Sequence, residues 1–593
     1  MRLLLAIALF ASLSALVIAE EPSPGNGSGV VPAPEPTRAL ALVGALIRTQ
    51  TDAGDFVGTV VIAGGKVVAV GPDVPVPAGA RRIDLAGHVI TPGLIDARST
   101  LGLNPAAARE GGRDAELTIL DAVDPFAEDW RDAARQGVTA VYVQPSASGL
   151  LGGSGAVLRV GPAASAADLA IKSPAGVQAA LGFTPQAAAQ PTDDLLAQFG
   201  RLPFALPNAQ AAPGRAASNA LTRFAQYEQL RGQLEAARTY GASKPTRREP
   251  AKELLLSALK KDIPLRIEVS HDDDLKNALR LAQDLGARIV FEGLDRLRSL
   301  PDEAAADRSG FVLGPFLTAD HRPEARTAAV RRLALDGRRW AIGTFGSETG
   351  ATAWLRAHAA AAVADGYPRE AVLRALTRGS AEVLGVADRL GSVAPGRTAD
   401  LAVFAGDPLD PAVPTRLVIS QGEVVYEADR PAAPTAVTPA SRPTLPATLP
   451  PSFVLKTTRL LAPSGEFAPG TLFVKDGKLA PAAGATSEVP TFDLGDAPVT
   501  PGLVAAHVAV GGEDKADADA AHLRATDGLA PDAPMLRDYL DAGFLTAVVA
   551  PGSGNVLAGR AGAVRTDGRP VAEAGQKFVL SSAARDAERF PAS

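Results

Sequence analysis

The sequence predicts an α/β fold: a barrel of parallel strands and crossover helices, edged by short strands, then a shortened second version of the chain's own beginning. Three observations carry this. From Ile90 to about residue 390, short apolar runs alternate with amphipathic segments, the mark of parallel strands joined by crossover helices. Three blocks of sequence recur in the same order late in the chain. With 46% apolar and 21% charged residues over 593 positions, there is ample material for buried cores.

Residues 1–19 (MRLLLAIALFASLSALVIA) place one basic residue, Arg2, before an apolar run that ends in small residues. They read as a signal peptide, with an uncleaved anchor helix as the alternative. An exported protein, periplasmic or extracellular, is therefore expected. Residues 20–38 are rich in Pro and Gly and read as a tether. TVVIAGGKVVAVG reads as two short strands around Gly64-Gly65. Strand character over 39–90 returns over 389–428, and strands on either side of a barrel commonly pair into one side domain.

Residues 91–388 are assigned to the barrel. They number about 300, against the roughly 250 that an eight-fold βα barrel needs. Six of its strands can be marked: HVITPGLIDA, TAVYVQP, IPLRIEVS, ARIVFEG, GFVLGPF and RWAIGTF. The Ala- and Pro-rich region 160–215 hides the others, and SGLLGGSGAVLR (148–159) reads as a Gly-rich turn joining short strands. Residues 429–451 are Pro-rich and read as a linker. Beyond them, 452–593 repeat the start: FVGTVVIAGGKVVAVGP is matched by FAPGTLFVKDGKLAPAA, IDLAGHVITPGLIDARSTLG by FDLGDAPVTPGLVAAHVAVG, and RDAARQGVTAVYVQP by RDYLDAGFLTAVVAP.

Composition removes whole classes of chemistry. The chain has no cysteine, which excludes disulfides, thiolate metal sites and thiol nucleophiles. A net charge of −6 argues against nucleic acid as a partner, since phosphate contacts require clustered Lys and Arg. Only six histidines exist. Neither a phosphate loop nor a Gly-x-Ser-x-Gly elbow is found. The run His271-Asp272-Asp273-Asp274 suits a helix start, where the dipole favours acidic residues, and Arg247-Arg248 and Arg331-Arg332 suit solvated helix faces.

The ordered set HVITPGLID (88–96), GVTAVYVQP (137–145), LTRGSAEVLGVADRLGSVAPGRTADLAVFAGDPLD (376–410) and VISQGEVVYE (418–427) resembles the metal-dependent amidohydrolase superfamily, nearest its imidazolonepropionase-like and prolidase-like branch. The resemblance implies a TIM-like (β/α)8 barrel with a composite β-sandwich built from the flanking segments. It also implies hydrolysis of amide or ring C–N bonds by a metal-bound hydroxide, the divalent ion lowering the pKa of its water from near 16 to about 7. The ligands would stand at the C-terminal ends of barrel strands.

Matched residue by residue, those ligands are missing. The Asp-x-His-x-His of the first strand reads Asp96-Ala97-Arg98-Ser99-Thr100, so Arg98 and Thr100 hold the histidine positions. The fifth strand offers Glu268 with His271 nearby, the sixth keeps Glu292 but has Gly293 for histidine, and the eighth has Phe345 after Gly343-Thr344. A guanidinium about 4 Å from a dication costs roughly 8 kcal/mol at an effective dielectric near 20. The expectation is an ion pair in place of the metal, with Glu268 as the natural partner of Arg98. In the second version, His507 survives but Ala505 and Ala509 replace its neighbours, and His507 reads as a partly buried strand-end residue.

The function expected is therefore a catalytically silent member of the superfamily, a binding or scaffolding pseudoenzyme with no catalytic residue and no cofactor. Two alternatives stand beside it. One is an active C–N hydrolase holding zinc or another divalent metal through Glu268, His271 and Glu292. The other is an assembly component acting through its truncated repeat. The partners left open are a small-molecule amide and a second copy of the chain, with no membrane contact beyond the signal segment.

Overall fold

The computed structural model describes residues 39–103, 117–145, 149–182, 222–243, 247–294, 297–299, 309–317, 328–346, 351–429, 445–446, 448–484, 488–509, 522–530, 532–552 and 556–579. The expected signal peptide, the tether and most of the linker lie outside them, as does most of the region 160–215. Among the described residues, no helix is long and apolar enough to cross a membrane.

The chain opens with β1 (Leu40–Arg48), β2 (Asp55–Ala63), β3 (Lys66–Gly71), β4 (Arg81–Asp84) and β5 (Val89–Pro92). Gly64 and Gly65 turn β2 into β3 with φ of 57° and 74°, the two successive left-handed residues that a tight hairpin requires. HVITPGLIDA, read as one strand, is two. Gly93 separates β5 from β6 (Leu94–Ser99), which belongs to a different sheet. A Cβ on Gly93 would come within 2.6 Å of Thr139 Cβ, so only glycine lets the chain cross there.

The barrel continues with β7 (Val138–Val143), β8 (Leu151–Arg159), β9 (Ala170–Ala180), β10 (Leu265–Val269), β11 (Ile289–Gly293), β12 (Gly310–Leu313) and β13 (Trp340–Ile342). These eight strands are neighbours in chain order from β6 to β13. Phe345 N, just past β13, donates to Arg98 O on β6 at 2.8 Å, bringing the two ends of the sheet together. The segment 148–159, read as a turn, is largely a strand, and all but the last residue of β8 is buried. Of the two missing strands, β9 lies in the region 160–215, but β8 lies before it, in the segment read as a turn. β8 (LGGSGAVLR) is rich in Gly and β9 (AIKSPAGVQAA) in Ala, residues that carry little strand propensity.

β8 runs antiparallel to both β7 and β9, whereas the other neighbouring pairs are parallel. The connections on either side of β8 are too short for the helical crossover that a parallel pair needs. Elsewhere helices do cover the barrel. Asp272–Leu285 buries Leu275, Ala278, Leu279, Leu281, Ala282 and Leu285, the spacing of one apolar helical face. It stops at Gly286, whose φ of 67° caps it.

After the barrel, β14 (Leu401–Phe404), β15 (Thr415–Ser420) and β16 (Glu423–Glu427) return to the first sheet, β14 pairing antiparallel with β5. The flanking segments thus make one sheet of eight strands rather than two separate ones. Its ends meet across the Gly65 and Gly422 turns, because a Cβ on Gly422 would touch Gly65 Cα at 2.7 Å. Leu42, Ile47, Val60, Val67, Leu401 and Ile419 share its core.

The last segment forms two four-stranded sheets. β17 (Phe453–Leu461), β18 (Phe467–Lys475), β19 (Lys478–Ala480) and β20 (Thr491–Asp493) form one. β21 (Leu503–Ala509), β22 (Phe544–Ala550), β23 (Leu557–Arg565) and β24 (Pro570–Phe578) form the other, in that order.

Candidate functional site: a filled barrel mouth

β6 alternates its faces up to Asp96, where its pairing with β7 slips by one residue before Ser99, a bulge that lets Arg98 turn into the barrel towards Glu292 while Asp96 meets the segment after β13. Arg98 is buried, and its Nε donates to Glu292 Oε2 on β11 at 3.2 Å. Glu292 is fully buried and serves two further donors. Gln144, just after β7, gives its Nε2 to Oε2 at 2.8 Å, and Arg266 on β10 gives its Nε to Oε1 at 2.5 Å. Arg266 also donates to Ala97 O at 2.9 Å, and its guanidinium lies 3.7 Å from the Tyr142 ring centroid. Two cations therefore share one carboxylate in a site with almost no exposure, where charge-assisted bonds are strong and an unpaired partner is costly.

The expected partner of Arg98 was Glu268, and the structure corrects this: the ion pair is with Glu292. Glu268 lies beside Glu292 in register on β10 but is only half-buried. Glu292 is out of water entirely and is the carboxylate that both guanidiniums reach. Phe345, at the position of an acidic ligand, sets its ring 5.7 Å from the Arg98 guanidinium carbon. It does so with φ of 61°, a left-handed backbone that a bulky side chain adopts only when its surroundings enforce it. Thr100 donates to Gly346 O at 3.3 Å. Gly293 has φ of 85°, and a Cβ there would sit 3.2 Å from Val269 O, so the histidine position is closed to most side chains by the backbone itself.

His271 stands at the first cap of Asp272–Leu285, and its Nδ1 is 3.5 Å from Asp274 Oδ2, while Arg223 Nε donates to Asp274 Oδ1 at 2.7 Å. It takes its place in that helix start rather than in the Arg98 network. Asp96 accepts from Thr344 Oγ1 (2.6 Å), Thr344 N (3.1 Å), Thr352 Oγ1 (3.0 Å) and Arg98 N (3.2 Å). It ties β6 to the segment after β13. Burial raises its pKa to about 6, against the opposing pull of those hydrogen bonds.

These residues do not fit a divalent ion. The ligand positions hold a paired guanidinium, a threonine, a glycine and a phenyl ring. Among the described residues, no group of three or more His, Asp or Glu is arranged to hold a metal. Glu292 has the right chemistry, but both its oxygens are committed to cations. The residues that sequence reading missed are Arg266 and Gln144. Their signal was present: LRIEV and VYVQP each put a long polar side chain inside an otherwise apolar strand, a placement that is rare unless the group is paired.

The model of the amidohydrolase family matches residues 238–426. A solved amidohydrolase from Thermotoga maritima MSB8 is 25% identical, covers 66% of this chain and 100% of its own, and superposes with a TM-score of 0.55. The chain belongs to the amidohydrolase superfamily. Phenylurea hydrolase B is similar at 18% identity over 67% of this chain and 100% of its own, with a TM-score of 0.43. The ethanolamine ammonia-lyase small subunit of Rhodopseudomonas palustris (strain BisA53) is 36% identical over 100 residues. That match spans 17% of this chain and 38% of the subunit, too short a stretch to carry an activity.

Proposed function

We propose that this amidohydrolase-superfamily chain is a catalytically silent, exported member that acts by binding or scaffolding. The observation that carries the reading is the Arg98–Glu292–Arg266 network, held by Gln144, at the place where the superfamily's metal chemistry would stand. A hydroxide nucleophile at neutral pH needs a dication to lower the pKa of its water. Here a dication would meet two guanidiniums and one carboxylate already shared between them. Asp96, the acid of the first barrel strand, is fully buried and holds four donors, so it has no path to a substrate. A small amide ligand is the partner that the superfamily's pocket would favour. Export rests on the apolar run Leu3–Ile18 and the small residues after it.

The test is elemental analysis of the purified protein after incubation with zinc, followed by assays against N-acyl amino acids, dipeptides and cyclic amides. The expected result is far less than one equivalent of retained metal and no chelator-sensitive hydrolysis. One equivalent of tightly held zinc together with such hydrolysis would overturn the proposal.

A further inference from the structure

The second sheet of the last segment repeats the first half of the barrel in register as well as in order. Leu503 pairs with Phe544, Val504 with Thr546, Ala505 with Ala547 and Val508 with Val549. In the barrel, Leu94 pairs with Val138, Ile95 with Ala140, Asp96 with Val141 and Ser99 with Val143. Both pairs slip at the same two places. Thr546–Val549 against Arg565–Gly562 likewise reproduces Ala140–Val143 against Arg159–Ala156. Even an isolated bridge is shared, Thr118 to Ser154 in one and Arg524 to Arg560 in the other.

In the barrel, β6–β9 is flanked by β10 on one side and approached by β13 on the other. β21–β24 has no neighbour on either side among the described strands. β21 (LVAAHVA) has no Lys, Asp, Glu or Pro, the devices that keep an edge strand from pairing. Leu503 and Val504 are 49% and 60% exposed, and Val571 and Phe578 at the other edge are 57% and 62% exposed. β21 is parallel to β22, and β24 is antiparallel to β23, which is antiparallel to β22. The two open edges therefore run in the same direction.

We propose that this half-barrel closes on the half-barrel of a second copy of the chain. β24 of each copy pairs parallel with β21 of the other about a two-fold axis, giving an eight-stranded barrel. Direction decides the occupant: one two-fold operation satisfies both edges at once, and closed symmetric contacts are the rule for self-association. The chain's own first barrel has no strand to lend, because its ends already meet at Phe345 and Arg98. The interior also suits a dimer. Val504 and Val548 stand where Ile95 and Tyr142 share a core in the barrel, while Ala505 packs on the opposite face with Leu536 and Val549, so the closing faces bring together small apolar groups. This inference is independent of the catalytic reading.

The test uses the full chain, whose lack of cysteine gives a clean background for cross-linking. Sedimentation from nanomolar to high micromolar concentration is expected to show a dimer. Leu503→Lys with Val504→Lys should halve the apparent mass with the circular dichroism spectrum unchanged. Val504→Cys mixed with Gln576→Cys, under mild oxidation, should yield the disulfide-linked dimer, and neither variant alone should. A monomer throughout would overturn the proposal. So would a dimer in which Val504→Cys cross-links to itself, or one in which the mixture fails to cross-link.

Discussion

The strands β6–β9 and β21–β24 share order, direction and register, yet only the first set lies inside a closed ring. β7 is buried at every residue, and β22, its counterpart, at fewer than half. The difference lies in what each set is asked to enclose. β6–β9 wraps Arg98, Tyr142 and Gln144, whose partners Glu292 and Arg266 come from the other half of the ring. β21–β24 carries His507, Val548 and Ala550 at those places. The backbone pairing is thus independent of the interior, and the interior is what ties the two halves of the closed barrel together.

Removing the shared carboxylate should separate the two regions most sharply. Glu292→Gln leaves Arg98 and Arg266 without a counter-charge in a buried site, a change that costs roughly 3–5 kcal/mol. The urea midpoint of the barrel's unfolding should fall accordingly. His507 occupies the place of Arg98 but is exposed, not partly buried as its sequence suggested. His507→Gln should therefore change stability by no more than about 0.5 kcal/mol. Equal effects of the two substitutions would show that the buried network contributes nothing particular to closure.

A second contrast is with pH. Asp96 has no acidic counterpart in the open half, and burial holds its pKa near 6, raised from 3.8. The folded state then binds a proton more tightly than the unfolded one, so the Asp96 contribution is fully present below about pH 4. It is lost as pH rises through 6, by roughly 3 kcal/mol for a shift of this size. Thermal unfolding of wild type and Asp96→Asn, compared from pH 4 to 7, isolates this. The stability of wild type relative to the variant should fall across that window and level off above it. A relative rise would refute the assignment. Asp400 is likewise raised to about 6 by burial and shares the window, so the comparison must be made between the two proteins rather than on wild type alone.

What the sequence disclosed follows the same division. The six strands with Val, Ile and Phe runs were legible because apolar length and β-branching mark a strand buried on both faces. The exchange of ligands at Arg98, Thr100, Gly293 and Phe345 was legible because the flanking motifs fix the alignment. β8 was not: GLLGGSGAVLR has turn-forming residues, and only its neighbours make it a strand. Nor was the choice of Glu292 over Glu268. The two lie side by side, and only the depth of burial, a property of the closed ring, distinguishes them.

β8 also supplies the smallest and most specific test. A Cβ on Gly155 would lie 2.5 Å from Tyr142 Cζ and 2.8 Å from Val143 O. Its counterpart is Ala561, and the counterpart of Tyr142 is Val548, so the open half has the larger residue on one strand and the smaller on the next. The glycine is therefore a consequence of the ring inside the barrel, not of the turn its sequence suggests. Gly155→Ala should cost about 1–3 kcal/mol by overpacking. Tyr142→Val should also destabilise, by opening a cavity over Arg266. Combined, the two recreate the Ala561–Val548 pair, and the double variant should be more stable than the sum of the single losses by about 1 kcal/mol or more, the size of coupling that contacting residues show. Strict additivity in that cycle would mean that the glycine answers to Val143 O and the backbone alone, and the correspondence between the two halves would then stop at strand pairing.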